Sequence, residues 1–130
     1  MVHGSTSSNK EYVKENVSDE YILEMMDAID SDILLMGHTH IPFHRTLFCE
    51  EENRKIYKHA INVGSVGKPK QGNNKSCYTI VTINHETDLS NPASVSVQFE
   101  YIDYDVKKVI RKIHSLKSGN AYDEFLMTGK

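Results

Sequence analysis

Ile33-Leu34-Leu35-Met36-Gly37-His38-Thr39-His40-Ile41-Pro42 is the stretch from which the rest of the chain can be read. Four apolar residues in a row suit a short strand buried on both faces better than a helix. That run leads straight into a histidine pair. On an extended backbone, side chains two apart point the same way, so His38 and His40 can converge on one metal centre. Gly37 is expected where the backbone passes close to a neighbour. Neutral imidazole is a common ligand for transition metals. Taken alone, a His-x-His pair is more often a surface or hydrogen-bonded pair than a metal site.

Upstream, Met1-Val2-His3-Gly4-Ser5 reads as the end of a strand entering a loop, which puts His3 in a setting like that of His38. Residues 5–10 are small and polar, a loop composition. Ser18, Asp19 and Glu20 give a helix start, with acidic groups at the positive end of the dipole. Ile22, Met25, Met26 and Ile29 follow at helical spacing and are expected in the core.

Downstream, Arg45–Cys49 and Ile56–Asn62 read as a hairpin turned by Glu50-Glu51-Glu52-Asn53. Asn62-Val63-Gly64-Ser65-Val66-Gly67-Lys68-Pro69 is a glycine-punctuated loop. It is either a structural turn that needs glycine or a loop presenting N–H groups to phosphate. Ala93–Tyr101 alternates apolar and polar residues, the clearest period-two strand in the chain. Asp105 then caps a helix with Val106, Val109, Ile110 and Ile113 on one face. Lys107, Lys108, Arg111 and Lys112 on the other face read as a solvated stripe. A short final helix is expected from Asn120 to Met127.

The 130 residues fit one unit, with 38% hydrophobic and 25% charged residues, an ordinary globular profile. A net charge of -3 gives no basic face for nucleic acid. It still allows a phosphate substrate, since bound cations supply positive charge locally. No stretch approaches the roughly 20 apolar residues that span a bilayer. With no signal-peptide pattern and two isolated cysteines, Cys49 and Cys77, the expectation is a cytoplasmic protein with reduced, buried thiols.

Taken in order, Val2-His3-Gly4-Ser5, Gly37-His38-Thr39-His40-Ile41-Pro42-Phe43 and Asn62-Val63-Gly64-Ser65-Val66-Gly67-Lys68-Pro69 resemble the calcineurin-like metallophosphoesterase superfamily, in particular its small prokaryotic branch. The Tyr104-Asp105-Val106 junction after an alternating strand is similar to the C-terminus of those enzymes. The resemblance implies an α/β fold, with residues 1–130 as the C-terminal half of a four-layer α/β/β/α sandwich. It implies two divalent metal ions (Mn, Fe, Ni, Zn or Mg), with His3 and His38 on one and His40 on the other. Asn62, Gly64 and Ser65 would contact substrate. The family's DxH, GDxxD and GNHD motifs, the last carrying its catalytic histidine, have no counterpart in this sequence. Val63 stands where the branch usually has proline, and Lys70 where arginine is common, which bears on substrate contacts rather than fold.

The implied activity is phosphoester hydrolysis, as phosphatase or phosphodiesterase, with this chain supplying part of the site and inactive by itself. The alternative is a non-catalytic binding or scaffold module on the same fold. Partners would be the phosphoester, the N-terminal half, or a second copy in a homodimer. His44, His59, His85 and His114 lack motif support and read as structural or surface residues.

Overall fold

The computed structural model describes residues 1–116 and 122–130. Helix α1 spans Asp19–Asp27, β1 Ile33–Met36, β2 Phe43–Glu51, β3 Arg54–Asn62, β4 Ser76–Thr82, β5 Ser96–Ile102, α2 Val106–Ser115 and α3 Asp123–Thr128. The result is a mixed α and β architecture with two sheets. β1, β3 and β2 form one in that order, and β4 pairs with β5 in the other.

α1 starts where its capping residue dictates. The Ser18 hydroxyl accepts from the Tyr21 N–H at 3.2 Å, and Asp19 and Glu20 occupy the first turn. Ile22, Met25 and Met26 are buried against Leu34, Met36, Phe43, Leu47, Ala60 and Val13. Burying each large side chain contributes roughly 1.5–3 kcal/mol. Ile29 does not join them. The helix ends at Asp27, and a turn with Asp30 at φ 49 carries Ile29 off the buried stripe, leaving it 44% exposed.

Two cations from the sheet pin α1 at its ends. Arg45 pairs with Asp19 in the first turn. Lys58 is buried and bridges Asp27 at 2.9 Å and Glu51 at 2.8 Å. Burial alone would lower the lysine pKa, but the hydrogen bonds to Asp27 and Glu51 outweigh it and raise the value.

The hairpin is tighter than the sequence suggests. Pairing runs unbroken from Phe43 opposite Asn62 to Glu51 opposite Arg54. Only Glu52 and Asn53 remain as the loop, both left-handed at φ 49 and 62, the two-residue form that matches strand twist. Glu50 and Glu51 therefore belong to the strand. β1 lies parallel to β3, with Leu34 opposite Ala60 and Met36 opposite Asn62. Leu34 and Met36 are buried, whereas Ile33 and Leu35 are half-buried, so the expected burial on both faces is complete only on the α1 side.

β5 begins at Ser96 rather than Ala93, because Asn91 turns the chain beneath the Ala93 and Ser94 N–H groups. In α2 the Asp105 carboxylate accepts from the Lys108 N–H at 2.8 Å. Val106 is buried there, but Val109 is 36% exposed, so the apolar stripe is only partly covered. The basic stripe is solvent-exposed, as expected. α3 begins at Asp123; Asn120, the start expected from sequence, lies outside the described residues. Both cysteines are free; Cys77 is buried as expected but Cys49 only half-buried, and desolvation pushes both thiols up in pKa. Among the described residues no helix is long and apolar enough to cross a membrane.

Candidate metal centre

His3 reaches the histidine pair through the backbone. The Val2 N–H donates to the Leu35 carbonyl at 2.9 Å, and the Gly37 N–H to the His3 carbonyl at 3.0 Å. Residues 2 and 3 are thereby held alongside the end of β1. The chain then turns away sharply at Gly4, where a Cβ would lie 2.8 Å from the Glu11 carbonyl oxygen and closer still to that of Ser8. The Ser5 side chain closes this loop, accepting from the Ser8 N–H at 3.0 Å.

The Gly37–His40 segment is not an extended continuation of β1. The strand ends at Met36, and His38 and His40 both adopt left-handed backbone at φ 62. The Thr39 N–H folds back onto the Gly37 carbonyl at 2.7 Å, making a three-residue turn centred on His38. Strand alternation is thus not what gathers the imidazoles. Left-handed backbone costs an L-residue roughly 1–2 kcal/mol, and two instances separated by one residue persist only where surrounding contacts enforce them.

Asn62 supplies those contacts. It is fully buried, and its amide nitrogen donates to the Gly37 carbonyl at 2.7 Å and to the Thr39 hydroxyl at 2.9 Å. Its amide oxygen accepts from the Gly64 N–H at 3.1 Å. One side chain therefore ties the histidine turn to the glycine-rich loop. Gly37 itself is not crowded, since a Cβ there would meet only the His3 carbonyl oxygen at 3.6 Å. Gly64, by contrast, is crowded: at φ 74, a Cβ there would sit 2.9 Å from Cys77 Sγ.

His38 Nδ1 lies 2.9 Å from His3 Nε2, with the rings edge-on at 4.8 Å between centroids. The Tyr12 ring packs against His38 at 4.0 Å. Tyr12 carried no sequence signal, being a lone tyrosine in a polar stretch. His40 Nδ1 lies 2.7 Å from the Lys68 carbonyl oxygen. A carbonyl can only accept, so Nδ1 carries the proton and Nε2 keeps its lone pair. Burial lowers the His40 pKa, opposed by the Lys68 carbonyl and reinforced by Lys70, Lys68 and His38.

His3, His38 and His40 line one open cleft of about 750 Å³, which Gly64 and Ser65 also line. Asn62 sits beneath the turn rather than on that wall. The N–H groups of Val63, Gly64 and Lys68 are committed to Met36, Asn62 and Ser65, so those three are not available to phosphate. Among the described residues no group of three or more His, Cys, Asp and Glu side chains is gathered around a point that could hold an ion. The tight contact is the His3–His38 pair, and His40 shares its cleft. Elsewhere, His44 stacks on His59, His85 is exposed beside Glu86, and His114 pairs with Asp123 at 2.9 Å.

No family model matches the sequence. It is 37% identical over 92 residues to the uncharacterized protein MJ0912 of Methanocaldococcus jannaschii, covering 63% of this chain and 33% of that protein. A crystal structure of a metallophosphoesterase from Sphaerobacter thermophilus superposes on 99% of this chain with a TM-score of 0.70 at 20% identity. The hypothetical protein PH1004 from Pyrococcus horikoshii does so with a TM-score of 0.72 at 18% identity. The chain spans 33% of the curated relative, and 54% and 45% of the two solved chains. Over nearly its whole length, then, the chain has a metallophosphoesterase-like fold.

Proposed function

We propose that this chain contributes His3, His38 and His40 to a dinuclear divalent-metal site for phosphoester hydrolysis, and that it forms the C-terminal part of a four-layer metallophosphoesterase domain. The observation that carries the reading is the 2.9 Å separation of His3 Nε2 and His38 Nδ1. Two nitrogens bound about 2.0–2.1 Å from one ion, at the right angles of octahedral coordination, are themselves about 2.9 Å apart. The pair is therefore spaced as adjacent ligands. His40 adds an unprotonated Nε2 held in tautomer by a main-chain carbonyl, the usual outer support of a ligating histidine.

Two such ions would supply Lewis acidity and an activated water for in-line attack on phosphorus. The protein's own groups do the positioning. Asn62 enforces the strained turn that presents His38 and His40, and Tyr12 packs against the His38 ring. Gly64 and Ser65 line the same cleft, where a phosphoester would lie. Histidine ligands bring no negative charge, so the electrophilicity of bound cations is preserved. His3, His38 and His40 are fewer ligands than two ions need, so the remainder come from carboxylate, asparagine or histidine groups of further sequence or of a partner chain.

The test is isothermal titration of the chain with Mn²⁺, alongside hydrolysis of an aryl phosphate and a bis-aryl phosphate. The reading expects binding that His3→Ala, His38→Ala and His40→Ala each weaken, with little turnover by this chain alone. Binding unchanged in all three variants would overturn it.

A further inference from the structure

Lys68 is held at three points, and one of them is the histidine site. Its N–H donates to the Ser65 hydroxyl at 3.0 Å, and its carbonyl accepts from His40 Nδ1 at 2.7 Å. Its ammonium lies 4.7 Å from the Tyr122 ring centroid and 4.5 Å from that of Phe125, both within the range of a cation–π contact. Among the described residues no carboxylate pairs with it, and the ammonium meets the electron-rich faces of the two rings instead. Tyr122 and Phe125 belong to the start and first turn of α3, and buried Leu126 anchors that helix. A cavity of about 320 Å³ lies between Gly67, Lys68, Ile113, Tyr122 and Leu126. The end of α3 is tied to the same loop system, since the Gly72 N–H donates to the Gly129 carbonyl at 2.9 Å.

We propose that α3 is a remote positioning element for His40: Tyr122 and Phe125 grip Lys68 from the side-chain end, and the Lys68 carbonyl fixes His40 in the tautomer that leaves Nε2 free. The chemical reason is directional. Lys68 follows Gly67 and precedes buried Pro69, and the residue ahead of a proline is confined to extended backbone. Holding its side chain therefore fixes where its carbonyl points. A carbonyl swung away would let the His40 proton move to Nε2, and protonated Nε2 cannot ligate. Tyr122, Phe125 and Lys68 are positioning residues that touch neither an ion nor a substrate. The value of the device rests on the metal-site reading above, but the tautomer it sets does not.

The experiment is side-chain ¹⁵N–¹H NMR of His40 in the metal-free chain, compared with the Tyr122→Leu/Phe125→Leu double variant, Lys68→Met and Lys68→Arg. Wild type is expected in the Nδ1–H form, the double variant and Lys68→Met as tautomer mixtures, and Lys68→Arg restored toward wild type. Titration with Zn²⁺ should then weaken about 10-fold in the first two variants, the lower end of what losing an outer support costs. If the double variant fails to fold, Lys68→Met gives the same readout with the α3 rings in place. A wild-type His40 in the Nε2–H form, or an unchanged Nδ1–H form in every folded variant, would overturn the proposal. A tautomer that responds as expected in a chain that binds no Zn²⁺ would sustain the positioning role while refuting the metal reading.

Discussion

His3 and His38, 35 residues apart in sequence, meet with ring nitrogens 2.9 Å apart at the mouth of one cleft. The contact exists because the Val2 and Gly37 N–H groups lace the first residues to the end of β1, and because His38 occupies left-handed backbone. Glycine at position 38 would be less strained than histidine, so the cost of this turn can be measured.

At position 38, glycine should relieve the strain that alanine keeps. His38→Gly is expected to be about 1 kcal/mol more stable than His38→Ala, with metal binding weakened equally in both. Urea melts of the two variants check this, and equal midpoints would mean that φ 62 costs the chain nothing.

Gly37 and Gly64 should respond differently to a methyl group. Gly64→Ala forces a Cβ to 2.9 Å from Cys77 Sγ at φ 74, and a loss of about 2 kcal/mol or more is expected. Gly37→Ala meets only an ordinary contact at 3.6 Å and should fall within about 0.5 kcal/mol of wild type. Thermal unfolding of both variants measures the contrast.

Acid should destabilise the chain through the sheet face opposite α1. His44 Nε2 lies 3.0 Å from His59 Nδ1, and His59 is fully buried, its Nε2 without a partner among the described residues. Burial lowers both pKa values from 6.5, and His44 lowers that of His59 further. Both rings are therefore harder to protonate in the folded chain than in the unfolded one. Their contribution is fully present above about pH 6.5 and is lost as pH falls below it. Stability measured from pH 7.5 to 5 should decline, and His59→Phe should flatten the slope. A slope identical in that variant would assign the acid sensitivity to other groups.

The second sheet should drive association. Val81, Val97 and Phe99 on its apolar face are only half-buried, and Tyr101 beside them is 42% exposed. Uncovered apolar patches promote association. Light scattering coupled to size exclusion should show a mass that rises with concentration, whereas a constant monomer mass would mean that the sheet is adequately covered as it stands.

Much of this structure could be read from local chemistry. Ser18 and Asp105 mark their helix starts because capping is a contact among near neighbours in sequence, and the β2–β3 hairpin follows from two β-rich runs around a short polar turn. The geometry of the site could not be read in this way. Nothing in the chemistry of histidine signals left-handed backbone at His38 and His40, since a long-range amide from Asn62 enforces it. Gly37 looked crowded from its place in the motif, but crowding depends on which chain segments approach, and those turned out to surround Gly4 and Gly64. The contacts of Tyr12 and Lys68 were not legible for the same reason: each has its partner 26 or more residues away in sequence. Ile29 had the right spacing but lies beyond the helix end, which a periodicity count does not see.

The central claim is that His3, His38 and His40 face a common site for divalent metal. Side-chain ¹⁵N–¹H NMR of all seven histidines during a Zn²⁺ titration tests it most directly. The account predicts that His3 Nε2, His38 Nδ1 and His40 Nε2 shift together at low metal ratios, while exposed His85 and the Asp123-paired His114 stay in place. Resonances of the three that do not move, or that move only after His85 and His114, would contradict it.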